Sequence, residues 1–179
     1  MSKIKDISQG DVLTFIADDG KHKAIICTSV YKEKSPQNFT FAATTVDQTD
    51  SPTINEVIKH DFYGIGNRKA DYFNYSEEEI NNMWNQHPEI EPYHIGTYGL
   101  IIWRKDFMKF RDSFNLIGNL NLVDNLDKNG NGSMNSSDWT FLKDFFNQKF
   151  KSVLVERGQK QFKVKAIIKN QNTMPRQRV

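Results

Sequence analysis

The stretch DVLTFIADDGKHKAIICTSVY, residues 11–31, decides the fold. Its first part, residues 11–17, is rich in residues that favour strands, and the turn signal Asp18-Asp19-Gly20 separates it from a second apolar run. Two such runs joined by an Asp-Gly turn predict a β-hairpin. A third strand-like run at residues 39–46 extends the hairpin into an antiparallel meander. The sequence therefore predicts an α+β protein built on an antiparallel sheet or a small β-barrel.

Length and composition restrict the class of protein. The chain has 179 residues, with 37% hydrophobic residues, 13 Phe and 3 Trp, so we expect one folded domain with a sizeable core. It contains neither a signal-peptide pattern near Met1 nor a run of about 18 apolar residues, which favours a cytoplasmic protein without a membrane partner. The single cysteine, Cys27, lies in an apolar run and is expected to be buried. A net charge of +2 does not indicate a nucleic-acid partner.

Helical patterns recur in the second half of the chain. The capping box Ser76-Glu77-Glu78-Glu79 predicts a helix that ends near His87, before Pro88. Phe107, Phe110 and Phe114 recur at helical spacing, and so do the apolar residues between positions 139 and 150. These patterns predict about three helices packed on the sheet.

The end of the chain predicts a closing hairpin around Arg157-Gly158. The predicted organisation is then a single α+β domain over residues 1–170, with a barrel-like part at 8–60, a helical part at 75–150, the closing hairpin at 151–168, and a flexible tail at 171–179.

Oxygen-bearing side chains follow the spacing of a calcium loop between residues 127 and 138, with Gly132 at the position of the sharp turn. The candidate metal ligands are Asp127, Asn129, Asn131, Ser133, Asn135 and Asp138. Residues 122–146 resemble an EF-hand, and residues 135–142 resemble a dockerin repeat. This resemblance implies one structural calcium ion, held with a dissociation constant of roughly 0.1 to 1 mM because the loop has little charge. The alternative is a turn in which Asn135 or Ser136 caps the following helix.

The N-terminal strands carry a second resemblance. Gly10-Asp11-Val12, the run 23–29 and the run 41–45 are similar to the opening of the MazF/PemK toxin family. That family folds as a small β-barrel and cleaves single-stranded RNA with an arginine and a Ser/Thr hydroxyl. At the matching positions this chain has Lys23 in place of the arginine, with Thr44 or Thr45 as the hydroxyl. Lysine lacks the planar fork that binds phosphate bidentately, and a barrel without an enzyme satisfies the same pattern.

Other catalytic patterns are absent from the sequence: it has no zinc-ligand spacing and no nucleophile elbow. Aromatic and charged residues instead crowd the middle of the chain, a composition favoured at protein interfaces. The candidate partner-binding residues are Tyr63, Arg68, Tyr72, Phe73, Tyr75, Trp84 and Tyr93.

These patterns leave three functions in order of preference. The first is a non-catalytic bacterial binding protein, such as an inhibitor or immunity-type factor, that acts through a protein-protein interface. The alternative is a MazF/PemK-like endoribonuclease toxin, for which RNA would be the partner. The third is a calcium-binding protein with a single EF-hand-like loop.

Overall fold

The computed structural model describes residues 4, 6–66, 95–123, 126, 133–146, 150–156 and 158–169. The helix predicted from Ser76 to His87 lies outside these residues. Among the residues that the structure describes, no helix has the length and apolar character needed to cross a bilayer.

A six-stranded sheet with the order β7-β1-β2-β3-β6-β8 forms the centre of the molecule. Its strands are β1 (Asp11–Ile16), β2 (His22–Tyr31), β3 (Asn38–Ala43), β6 (Gly99–Trp103), β7 (Asn115–Asn119) and β8 (Ser133–Asn135). All neighbours pair antiparallel except β6 and β8, which are parallel. The predicted α+β class and antiparallel meander are confirmed. In the described part of the chain the sheet is open, with β7 and β8 at its edges. These residues do not form the closed small barrel that was expected as the alternative to an antiparallel sheet.

The β1–β2 hairpin forms where the sequence predicts it. Its turn is closed by hydrogen bonds from the Gly20 amide to the Ala17 carbonyl and from the Ala17 amide to the Lys21 carbonyl, each 3.0 Å long. Gly20 has a φ of 75°, a conformation that L side chains rarely adopt. Local turn chemistry therefore sets the register in which Leu13 pairs with Ile25.

A second, three-stranded antiparallel sheet has the order β5-β4-β9. Its strands are β4 (Asp61–Gly66), β5 (Ile95–Thr97) and β9 (Lys160–Lys163). The two sheets meet at a bridge between Thr44 and Phe62, where the Thr45 amide also donates to the Asp61 carbonyl at 2.8 Å.

Four short α-helices occur in the described residues: α1 (Ile54–Val57), α2 (Arg104–Phe110), α3 (Trp139–Asp144) and α4 (Phe150–Glu156). In the same part of the chain, 3-10 helices cover Arg111–Ser113 and Val164–Ile167. A capping box starts α1, in which Thr53 accepts from the Glu56 amide and Glu56 accepts from the Thr53 amide.

The structure differs from the predicted closing hairpin at 151–168, because residues 150–156 form helix α4. Gly158 has a φ of 69°, and its amide donates to the Val155 carbonyl at 2.9 Å, as in a glycine that ends a helix. The same glycine signal serves hairpin turns and helix ends, so the sequence identifies the turn but not the helix before it. The only strand of this region in the described residues, β9, pairs with β4.

Side chains on both faces of the six-stranded sheet are buried. One face packs against α2 and α3 through an aromatic cluster that includes Phe15, Phe107 and Trp139. The other face packs through Val12, Ala24 and Ile26 against α1, β4 and the 3-10 helix 164–167. Burial on both faces explains why the residues in the middle of β2 form a continuous apolar run.

Candidate functional site

Gly10 and Asp11, which open the strand that resembles the MazF/PemK family, form a junction between β1 and β7. The Gly10 carbonyl accepts from the Leu120 amide at 2.8 Å, and the Asp11 carboxylate accepts from the Asn119 side-chain amide at 2.9 Å. The other Asp11 oxygen accepts from the Ser8 amide at 2.7 Å. Asp11 is fully buried, so these internal bonds account for the aspartate at this position.

The ammonium group of Lys23 lies between two carboxylates. Lys23 Nζ is 2.8 Å from Asp19 Oδ2 and 2.6 Å from Asp47 Oδ1, and only 4% of its side chain is exposed. The hydrogen bond from Lys23 lowers the pKa of Asp47. Desolvation raises the pKa of Asp19, but the hydrogen bonds from Lys23 and the Lys21 amide outweigh it and leave that pKa lowered. The positive charge expected to contact a phosphate is therefore neutralised by Asp19 of the hairpin turn and by Asp47 of the loop after β3.

The two candidate hydroxyls are also engaged by the protein. Thr44 is fully buried, and its Oγ1 donates to the Ala24 carbonyl at 2.7 Å. Thr45 Oγ1 accepts from the Asp61 amide at 3.1 Å and lies 3.5 Å from Nδ1 of His60. Each of the three residues named for the ribonuclease alternative thus has an internal partner that accounts for its position.

The described end of the calcium-like loop forms the start of helix α3. Asp138 is its N-cap, with Oδ1 accepting from the Phe141 amide at 2.7 Å, and Asn135 Oδ1 accepts from the Ser137 amide at 3.0 Å. Strand β8 begins at Ser133 and ends at Asn135. The sequence alternative named Asn135 or Ser136 as the cap, whereas the structure gives that role to Asp138.

The remaining candidate ligands, Asp127, Asn129 and Asn131, lie outside the described residues. Of the three candidate ligands that the structure describes, Asn135 and Asp138 each use one side-chain oxygen to accept a backbone N–H group. The second carboxylate oxygen of Asp138 is therefore the charged atom that a calcium ion would use.

Of the predicted partner-binding residues, the structure describes Tyr63. It is 1% exposed, and its hydroxyl accepts from Gln161 Nε2 at 3.2 Å. A partner that docks without rearrangement does not reach this ring. Arg68, Tyr72, Phe73, Tyr75, Trp84 and Tyr93 lie outside the described residues.

Cys27 is buried and its thiol donates to the Ser29 carbonyl at 3.6 Å. Burial strongly raises the pKa of the thiol, so the nucleophilic thiolate is not formed near neutral pH.

A different group of residues is exposed at one end of the six-stranded sheet. Tyr31 pairs with Asn38, and Asn38 pairs with Trp103, so the three side chains stand in a row on one face across β2, β3 and β6. Tyr31 is 53% exposed and Trp103 is 42% exposed. The next row on that face contains Ser29 and Ile101, both partly buried. We call these five residues the sheet-end patch.

The backbone of the sheet-end patch is held firmly. The Trp103 amide donates to Ser137 Oγ at 2.8 Å, and the next amide, of Arg104, donates to the Gln37 carbonyl at 2.9 Å. On the opposite sheet face, Phe39 and Ile102 are buried in the aromatic core. The exposed rings therefore project from a rigid frame.

Basic residues follow both aromatic residues of the sheet-end patch in the sequence. Lys32 Nζ lies 5.5 Å from the centre of the Tyr31 ring, and Arg104 and Lys105 are exposed at the start of α2.

The sequence contains a signal for Trp103, because alternation along β6 from Leu100 and Ile102 points it away from the aromatic core. Alternation along β2 from Ile25 and Cys27 would point Tyr31 toward that core, and the register shift between Cys27 and Ser29 reverses its face, for which the sequence has no local signal.

The chain was compared with protein-family models, curated proteins and solved structures, and none of them matches. The geometry of the described residues is therefore the basis for assigning a function.

Proposed function

We propose that the protein is a non-catalytic binding protein that docks a protein partner through the sheet-end patch. One observation carries the proposal: Tyr31, Trp103 and Arg104 lie exposed together at one end of the sheet. Tyr, Trp and Arg are the residue types most enriched at binding hot spots, where truncation of one side chain costs about 2 kcal/mol or more. An inhibitor or immunity-type role is one form of this function.

Charge indicates the character of the partner. Lys32, Arg104 and Lys105 are exposed and form no ion pair with the residues that the structure describes. The partner surface is therefore expected to place acidic side chains around an apolar centre, since complementary charge raises the association rate and excludes wrong partners. A net charge of +2 for the whole chain gives RNA little long-range attraction.

The competing proposal is an endoribonuclease with a MazF/PemK-type fold. It requires Lys23 and a threonine hydroxyl to act on one phosphate, whereas Lys23 is paired with Asp19 and Asp47 and Thr44 is buried. An RNA substrate would have to displace both carboxylates from Lys23 before that charge could stabilise a transition state. The internal bonds of these residues therefore support the non-catalytic proposal.

The test begins with a photo-cross-linkable residue at position 103, introduced into the full chain in cells of its source. The matched control carries the same residue at Val155, which is 66% exposed on α4. We expect a protein to cross-link from position 103 and not from position 155. Hydrogen exchange with that partner, once purified, should then show protection at residues 29–32, 38–40 and 101–105.

Two outcomes would contradict the proposal. One is equal cross-linking from both positions, or protection that leaves the sheet-end patch unchanged. The other is cleavage of single-stranded RNA by the purified chain, with loss of cleavage on Lys23→Met, which would favour the ribonuclease.

A further inference from the structure

A cleft of about 580 Å³ lies between helix α1 and the 3-10 helix Val164–Ile167, and none of its described lining residues belongs to the sheet-end patch. Its lining residues are Asn55, Ile58, Lys59, Lys163, Lys165 and Ile168. Clefts that bind small ligands or single side chains typically enclose about 300 to 1,000 Å³. The cleft is therefore large enough to hold a few residues of a peptide.

Long-range pairing builds the walls of the cleft. Asp61 of β4 pairs with Lys163 of β9, and the Val164 amide donates to the His60 carbonyl at 3.0 Å. Ile58 and Ile168 are partly buried and pack against the core cluster beneath them. The floor is thus apolar and fixed, while its upper surface remains open.

The rim of the cleft is basic. Lys163 Nζ lies 2.8 Å from Asp61 Oδ1, so its charge is partly neutralised. Lys59 and Lys165 are exposed and form no ion pair with the residues that the structure describes. Two exposed positive charges therefore flank an aliphatic floor, with the Glu56 carboxylate, which is bonded to Thr53, close enough to Lys59 to interact with it electrostatically.

We propose that this cleft is a second binding site, which takes an acidic peptide segment with an aliphatic side chain between carboxylates. The aliphatic group covers Ile58 and Ile168, and the carboxylates face Lys59 and Lys165. A nucleic acid fits less well because, among the residues that the structure describes, no aromatic ring lines the cleft for bases to stack on. An anionic bilayer fits less well because its flat surface does not reach a concave apolar floor.

The probe is the fluorescein-labelled peptide Asp-Glu-Leu-Leu-Glu-Asp, titrated with the full chain and followed by fluorescence anisotropy. Two control peptides separate the contributions: Asn-Gln-Leu-Leu-Gln-Asn removes the charge, and Asp-Glu-Gly-Gly-Glu-Asp removes the aliphatic group. We expect saturable binding of the first peptide and at least about tenfold weaker binding of both controls. Raising the salt from about 0.05 M to about 0.5 M should weaken binding, since the rim charges are exposed.

The double substitution Lys59→Gln/Lys165→Gln tests the rim. It should weaken binding of the acidic peptide about tenfold, because each exposed ion pair contributes modestly. The matched control is Lys160→Gln, which removes the same charge from an exposed position on β9 outside the cleft and should leave affinity within about twofold.

Three results would overturn the inference: no saturable binding of the acidic peptide up to about 1 mM, equal affinity of the double variant and the wild type, or preference for a single-stranded oligonucleotide or phosphatidylserine vesicles. The inference stands apart from the proposed function, because Trp103→Ala should leave peptide binding in the cleft unchanged. Failure of either proposal can therefore be recognised separately.

Discussion

Lys23 is held between Asp19 and Asp47, and this environment determines what substitutions there do. Lys23→Met removes a charge that makes only internal ion pairs, and we expect a loss of at most about 1 kcal/mol in the free energy of unfolding. Asp19→Asn/Asp47→Asn leaves a buried, unpaired ammonium and should cost about 3 kcal/mol. Urea unfolding near neutral pH measures both, and a larger loss for Lys23→Met than for the double variant would contradict this account.

The same cluster predicts how stability changes with pH. The folded-state pKa values of Asp19 and Asp47 are lowered, with the Lys23 hydrogen bond the largest cause for Asp47. The stabilisation is therefore fully present above about pH 4, the ordinary aspartate value, and is lost as pH falls through the lowered folded-state values. Urea midpoints measured from about pH 5 to about pH 2 should fall less steeply for Lys23→Met than for the wild type. Equal slopes would contradict the ion pairs.

Glycine substitutions test the junction at which β1 meets β7. Gly10 has a φ of 88°, and a Cβ there would lie 2.0 Å from the Leu120 carbonyl oxygen. Gly20 has a φ of 75° but open space around it, which makes it the matched control. Gly10→Ala should lose about 3 kcal/mol or more, and Gly20→Ala about 1 kcal/mol. Similar losses in thermal or urea unfolding would show that the close approach does not matter.

Helix α3 gives a test of its cap and of the calcium prediction together. Asp138→Ala removes the acceptor of the Phe141 amide and should cost about 1 kcal/mol in the presence of EDTA. Calcium at about 10 mM should raise the free energy of unfolding of the wild type by about 1.4 kcal/mol for a dissociation constant near 1 mM, with a matching rise in its unfolding midpoint, and should not change that of Asp138→Ala. A wild-type midpoint that does not respond to calcium would leave Asp138 as a helix cap and remove the calcium prediction.

At the scale of elements, the sequence predicts structure best where the signal is local. The β1–β2 hairpin follows from Asp18-Asp19-Gly20 and the two runs beside it. The pairing of β7 with β1 and of β8 with β6 joins segments that are distant in the chain. These pairings have no local turn signal in the sequence, because they depend on tertiary contacts. Helix α4 was missed because Gly158 marks a chain reversal without indicating whether a helix or a strand precedes it.

At the scale of the whole molecule, exposure decides which aromatic residues can meet a partner. Tyr63 and Tyr31 are both tyrosines within strands, but Tyr63 is buried in the aromatic core cluster and Tyr31 is exposed at the end of the six-stranded sheet. The sequence predicts an aromatic interface without locating it, because composition does not reveal what covers each face. Likewise, Lys23 has the sequence position of a catalytic cation, and only the fold brings Asp19 and Asp47 to it.

The most direct test of the central claim is the affinity of the purified partner for Trp103→Ala, compared with Val155→Ala, by isothermal titration calorimetry. The account predicts that Trp103→Ala weakens binding by about 30-fold or more, as expected for a hot-spot tryptophan, while Val155→Ala changes it less than about twofold. Equal affinities of the two variants would contradict the claim that the protein acts through the sheet-end patch.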